Sequence, residues 1–506
     1  MKTLHHRLTW LAIVLLVPLV SIHAQPPRID PAGIPGAMLI CGGGDVSAAA
    51  FDRFIDLAQG AKAKVAVVHV NDADAAEAVL KGLKKSAQQK DAAEPKLIAW
   101  KDAKTLVDDL TGIWLITRKE QRVWEGEIKD RPLRAECLAL LNRRGVIATS
   151  GRTSALIGPA GVNLLPVVDH SWSEKKKVFY DGVVTIQLTP GAALEIRGRT
   201  LSAVGAGTTY MSVWSKGTTV RTAKLEGKAK EDLTAWLRSA RDRKESFPPK
   251  TVEPPVVEKG TLVIVGGGGQ PENLNKKFVE YAGGEGKAVI AIFATAAPDP
   301  LPKREGLAAA FMKAGAKKAT VLYGKTQAEV EIKEFLDTLK EATGLWFDGG
   351  RQWRFVDCYE NTKAMPLMFD VLKRGGVIGG TSAGATIQGE YLARGGVFDN
   401  FDIRYEGYER GLGFLKGVAI DQHFSQRKRH PDMTKLMKIY PQYLGVGIDE
   451  ATAIVVKGSI AEVIGKNKVY FYDAARKVEK DQPDHEALSA GGRYDLKERK
   501  VLAGEK

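Results

Sequence analysis

Three residues in the second half of the chain have the types and the order that acyl transfer needs: Ser382, His423 and Glu450. Ser382 lies in Gly379-Gly380-Thr381-Ser382-Ala383-Gly384-Ala385, where an apolar strand ends at two glycines and small, helix-compatible residues follow. This Gly-x-Ser-x-Gly pattern marks a sharp strand-to-helix turn that presents a nucleophile. A hydroxyl is a poor nucleophile until a base takes its proton, and histidine suits that work near neutral pH. Of the eight histidines, His423 ends an apolar strand in the same half, whereas His430 and His485 read as solvent-facing loop residues. A carboxylate that fixes the imidazole tautomer completes such a set. Asp449 and Glu450 both end a strand, and Glu450 is the preferred partner. The Ala383 N–H, at a helix start, is placed to stabilise an oxyanion.

Four polar pieces must converge for this chemistry: Trp346 to Gln352, the Ser382 turn, Ala419 to Arg429, and Val446 to Ala453. Each falls at the end of an expected strand, where ligands of open α/β sheets bind. The strand-helix rhythm that produces such ends runs through the chain twice. Ala37 to Cys41 before Gly42-Gly43-Gly44 is answered by Thr261 to Val265 before Gly266 to Gly269. Thr111-Gly112-Ile113-Trp114 is answered by Thr343-Gly344-Leu345-Trp346, and Arg144 to Ile147 by Gly375 to Ile378. The expected organisation is two copies of one α/β domain, over 36–237 and 260–506, each a mainly parallel sheet flanked by helices. A Pro-rich linker is expected over 238–259, and Leu488 to Leu502 reads as a finishing hairpin turning at Gly491-Gly492.

The 506 residues carry a net charge of +14. The basic excess comes without zinc-finger spacing, an aromatic RNA-binding strand or a long basic tail, so nucleic acid is not an expected partner. No metal-ligand spacing appears, and neither a metal nor a cofactor is expected. Lys2, Arg7, the apolar run Leu8 to Val20 and the small residues before Gln25 read as a signal peptide over 1–24, followed by a lead-in over 25–35. This predicts an exported protein, periplasmic or extracellular, with no stable membrane span after cleavage. The three cysteines, Cys41, Cys137 and Cys358, sit in apolar sequence and read as buried thiols.

The glycine-rich first turn, Gly-Gly-Thr-Ser-Ala-Gly-Ala, Asp-Gln-His-Phe with spaced arginines, and Gly-Ile-Asp-Glu-x-Thr-Ala resemble the cyanophycinase branch of serine peptidases that includes dipeptidase E. The resemblance spans roughly Gly260 to Asp473. It implies a flavodoxin-like fold related to class I glutamine amidotransferases, with Ser382 as nucleophile, His423 as base and Glu450 as its partner. It also implies an oxyanion hole at Gly350 and Ala383. Gln352, Asp421, Gln422, Arg427 and Arg429 are implied as substrate-binding, with Arg351 at the mouth of the site. The implied partner is a peptide, cyanophycin-like or Asp-rich, and the assembly a monomer with an intramolecular pseudo-dimer or a homo-oligomer.

Arg351 stands where the family has an acid, which works against an arginine-bearing substrate and favours a more acidic peptide. The Gly395 to Gly413 stretch reads as a surface loop, although its acids and aromatics would also serve to cover a pocket. In the first half, Gly151, Ser171 and Pro190 fall at the Ser382, His423 and Glu450 positions, so that half reads as a degenerate copy. Two other readings compete with a peptidase. An α/β-hydrolase-type esterase shares the serine motif but requires the order Ser, acid, His. A non-catalytic exported binding protein would not require the three residues together.

Overall fold

The computed structural model describes residue 29 and residues 31–70, 72–100, 109–117, 133–150, 167–168, 182–215, 218–479 and 481–503. The signal-peptide reading and the Gly151 and Ser171 positions lie outside the described residues. Each half carries a large sheet and a smaller second one. The first large sheet runs Lys230–Asp232, Thr200–Val204, Ala193–Arg197, Ala37–Cys41, Val146–Ser150, Gly112–Thr117, Val65–Val70 and Lys96–Ala99. The second runs in the same topological order: Arg493–Asp495, Ile460–Gly465, Thr452–Gly458, Val257–Val265, Val377–Thr381, Gly344–Phe347, Val289–Phe293 and Lys318–Leu322, with Lys500–Leu502 added at the edge. In both, the last five of these strands are mutually parallel. Leu262 and Ile264 enter one apolar cluster while Val263 and Val265 enter another. The strand is buried on both faces, as a parallel sheet covered by helices requires.

The expected single sheet per half is therefore two. Leu415–Gln422, which leads to His423, and Leu444–Ile448, which leads to Glu450, belong to the smaller sheet, between Gly389–Leu392 and Val469–Asp473. The strand ending at Ser382 belongs to the larger one. Both kinds of strand carry apolar runs, so periodicity does not tell which sheet each will join.

Register corresponds between the halves up to Ser150: Val265 lies opposite Thr381, as Cys41 lies opposite Ser150. A Cβ on Gly42 would lie 2.4 Å from the Thr189 carbonyl oxygen, as one on Gly266 would lie 2.1 Å from that of Asp449, so Pro190 occupies the Glu450 position.

Two boundaries differ from expectation. Leu233–Lys244 is one helix, capped by the Asp232 carboxylate, which accepts the Ala235 N–H at 2.7 Å. Arg238 to Lys244 are thus helical and not linker. Their charges suggested solvent, yet Arg238 and Asp242 are fully buried because partners from the second half meet them. Only then does the chain run as an extended strap, held where Gln442 Nε2 donates to the Pro249 carbonyl at 2.6 Å. The terminal strands Glu486–Leu488 and Arg493–Asp495 do not pair with each other across Gly491-Gly492 but join different sheets; the hairpin is Arg493–Asp495 with Lys500–Leu502. Cys41, Cys137 and Cys358 are buried and form no disulfide among the described residues.

Candidate active site

Ser382 caps the short helix Ala383–Thr386 with φ 55° and ψ −113°, a conformation that a non-glycine residue holds only where its surroundings impose it. The neighbours make that possible. A Cβ on Gly380 would lie 2.4 Å from the Gly384 carbonyl oxygen, and one on Gly384 would lie 2.0 Å from that of Phe347. Glycine at both positions lets the strand turn into the helix without a clash. Ala383 provides the first N–H of that helix, where intrahelical acceptors are lacking. Gly350, with φ 146°, packs on the Ala296 carbonyl in a position that admits no Cβ, and Gly349 packs on Ser382.

The two sheets meet at the serine. Ser382 Oγ lies 2.9 Å from His423 Nε2, and His423 Nδ1 lies 2.6 Å from Glu450 Oε1. With Nδ1–H donating to the carboxylate, Nε2 is left as an acceptor for the serine proton. His423 is 8% exposed and also has positive φ, at 48°. Burial lowers its pKa below the ordinary value of 6.5; Glu450 opposes that shift, and the charges of Arg427 and Arg429 add to it. Gln426 Oε1 accepts the Glu450 N–H at 3.0 Å, and Asn467 Nδ2 donates to the Glu450 carbonyl at 2.8 Å. Asp449, the other acid at this strand end, accepts the Ser425 N–H at 2.8 Å instead.

The glycine turn is the floor of this arrangement. A Cβ on Gly267 would lie 2.4 Å from His423 Cε1, and one on Gly268 would lie 2.2 Å from the Glu450 carboxyl carbon. The Gly266 and Gly267 carbonyls accept the N–H groups of His423 and Ala451 at 2.8 and 2.9 Å. The repeated glycine run was visible in the sequence, but its role was not, because it depends on contacts between segments far apart in the chain. Gly268→Ala, at φ 58°, is expected to push Glu450 off Nδ1. The downfield Nδ1 proton resonance of His423 should then disappear; an unshifted resonance would contradict this placement.

Several residues implied as substrate-binding have other partners. Gln352 is 1% exposed, and its amide donates to the carbonyls of Ala393 and Arg394 at 2.9 and 2.7 Å. Asp421 is fully buried between Arg394 and Arg429, at 2.9 and 2.7 Å. Arg429 also donates to the Gln422 carbonyl, and burial pushes its pKa down to about 10. Arg351 donates to the carbonyls of Gly396 and Asp399 at 2.6 and 2.5 Å, so its charge fastens the following loop. Gln422 and Arg427 remain close to Ser382 and His423. Gln422 Oε1 is 3.5 Å from Ser382 Oγ, and Arg427 is exposed and near enough to act on His423. Arg394, which sequence reading missed, was signalled by a lone charge between Leu392-Ala393 and Gly395-Gly396.

His430 and His485 have partners other than Ser382. His430 Nδ1 is 2.6 Å from the Tyr472 hydroxyl, and its ring packs on His485 at 5.1 Å, so both are half-buried and not solvent-facing. His485 therefore does not supply the order an α/β-hydrolase needs. Among the described residues no cluster of three or more metal-ligating side chains occurs, and no helix is long and apolar enough to cross a membrane.

Comparison with known proteins places these residues in context. The family model described as peptidase family S51 matches residues 262–464. A cyanophycinase of Geminocystis herdmanii is 29% identical over 265 residues, covering 49% of this chain and 97% of the relative. One of Synechococcus elongatus is 30% identical over 221 residues, covering 42% of this chain and 68% of the relative. Among solved structures, a peptidase from an acI-B1 Actinobacterium is 23% identical with a TM-score of 0.39, covering 47% of this chain and 97% of that one.

Proposed function

Because the chain belongs to peptidase family S51 and is a serine-type peptidase, we propose that it hydrolyses peptide or β-aspartyl isopeptide bonds through Ser382, His423 and Glu450, and that it is exported. The observation that carries this reading is the continuous path from Ser382 Oγ through the imidazole to Glu450, at 2.9 and 2.6 Å. His423 takes the Ser382 proton as Oγ attacks the carbonyl carbon. The N–H groups of Gly350 and Ala383 receive the oxyanion. Collapse breaks the C–N bond, and His423 gives its proton to the leaving amine. Water, deprotonated by the same imidazole, then releases the acid. Glu450 holds the tautomer and stabilises the imidazolium.

Arg427 is the exposed cation beside these groups, which suits a carboxylate on the substrate. The apolar run and small residues at 8–24 support export. The first half, with Gly151 and Pro190 at the serine and glutamate positions, is proposed as a non-reacting copy.

The test is phosphonylation of the serine followed across pH. Full-length protein is treated with an aryl fluorophosphonate and, separately, with β-Asp-Arg polymer, isoaspartyl dipeptides and Asp-rich peptides. Labelling at Ser382 and cleavage of at least one substrate class are expected. Since the base must be neutral and its pKa is lowered, the labelling rate should fall toward acid with its midpoint below pH 6.5. A label on another residue, or an acid midpoint above pH 6.5, would refute the assignment.

A further inference from the structure

The loop from Gly395 to Gly413 is held from two sides. The catalytic half grips its beginning through Gln352 and Arg351, which follow the Gly349-Gly350 turn, and through Arg394, which pairs with Asp421 just before Gln422 and His423. The first half grips its end. Arg243 meets Glu409 at 2.6 Å, Arg221 donates to the Glu406 carbonyl at 3.0 Å, and Arg199 bonds the Tyr408 hydroxyl. Tyr408 also donates to Asp357 at 2.7 Å, and Asp357 is paired with Arg199 and Arg238 at 2.6 and 3.1 Å. The approach is close enough to dictate a residue: Gly407 has φ 91°, and a Cβ there would lie 1.9 Å from the Ala235 carbonyl oxygen.

Charge along this contact is largely one-sided. The first half contributes Arg199, Arg221, Arg238 and Arg243, and the second contributes Asp357, Glu360, Glu406 and Glu409. The loop turns Tyr408 and Glu409 inward, both fully buried, and leaves Phe398, Asp399, Phe401 and Asp402 exposed. Its outer stretch is thus the part free to meet a ligand, and its inner stretch is the part the first half controls.

We propose that the first half is a positioning element for the Ser382 site: its arginines set the shape of the 395–413 loop, which borders the bound peptide, and the site is incomplete without them. This rests on Ser382 being the reactive serine. A loosened loop costs substrate contacts and leaves the serine, histidine and glutamate in place, so the effect belongs in KM rather than kcat.

The experiment uses full-length Arg243→Met and Arg243→Lys. Deuterium uptake of peptides covering 395–410 is expected to rise about tenfold in Arg243→Met, with uptake in the two sheets unchanged. Fluorophosphonate labelling of Ser382 should stay within about twofold, while KM for the cleaved peptide rises by about tenfold at nearly constant kcat. Arg243→Lys should fall between wild type and Arg243→Met, and it carries the same readouts if the methionine variant does not fold. Unchanged uptake in 395–410, or raised uptake with an unchanged KM, would overturn the proposal. Failure of the Ser382 assignment looks different: wild type goes unlabelled although the loop is protected, and the proposal falls with it.

Discussion

Ser382→Ala is expected to lower kcat for peptide hydrolysis by a factor on the order of 10⁴ to 10⁶ while the protein stays folded. The chemical reason is that Ser382 Oγ, 2.9 Å from His423 Nε2, is the atom that would carry the acyl group. Gln422 Oε1, 3.5 Å from the serine, is an amide oxygen and not a nucleophile. The structural reason is that alanine keeps the Cβ and the backbone that the Gly380–Gly384 turn requires. What disappears is one hydrogen bond to the imidazole, with a net contribution of about 1 kcal/mol. Amine release under saturating substrate measures the rate, and calorimetry measures Tm. Activity within tenfold of wild type in a protein of normal Tm would remove Ser382 from the mechanism.

Asp421→Ala should act in the opposite way, on the fold before the chemistry. Asp421 is fully buried and accepts from Arg394 and Arg429, themselves 2% and 4% exposed. Removing the carboxylate leaves the Arg429 guanidinium buried without its counter-charge and Arg394 with Asp432 alone, and breaking such a buried pair typically destabilises by about 3–5 kcal/mol. For a unit the size of the second half, that corresponds to a fall in Tm of roughly 6–20 °C. His423 lies two residues further on, so activity should fall as the strand end loosens. A residue whose work is to hold substrate would instead raise KM at constant Tm. That second pattern is the result that would return Asp421 to the substrate pocket. Asp421→Asn, which still accepts a hydrogen bond, is expected to be milder.

Both expectations turn on a distinction that the motifs hide. Asp-Gln-His-Phe followed by spaced arginines reads as one polar segment, with every member equally available. In the fold the segment is sorted by depth. Asp421 and Arg429 form a buried ion pair beneath the site, His423 stands at its centre, and Arg427 faces solvent. Arg351 is the clearest reversal. As a sequence departure it suggests a repelled cationic substrate. Its guanidinium in fact lies on the loop carbonyls of Gly396 and Asp399, so its charge helps to shape the rim. Sequence spacing conveys which residues are near in the chain, whereas these roles depend on which carbonyls a side chain reaches.

The first half presents the same problem on a larger scale. Its repeat of strands and glycines was legible, and the shared topological order of the large sheets agrees with it. The part of its helix Leu233–Lys244 from Arg238 onward read as the start of a charged linker. Helix periodicity was present, but the partners that bury those arginines, Asp357, Glu360 and Glu409, lie more than a hundred positions away. Long-range ion pairs leave no local signature.

What was legible in the sequence by itself was therefore the set of candidate groups and their order: a serine at a sharp turn, then a histidine and an acid at later strand ends. Local rules suffice for that, since turns, strand ends and side-chain reactivity are short-range properties. Tertiary structure alone decided that the serine strand and the histidine strand belong to different sheets, and that Gly267 and Gly268 form the floor under His423 and Glu450. It also decided that the loop beside the site is held from the other half of the chain. The physical reason is common to all three. Sheet partnership, close backbone approach and buried ion pairing are fixed by packing between distant segments, and packing follows shape and charge in space rather than separation along the chain.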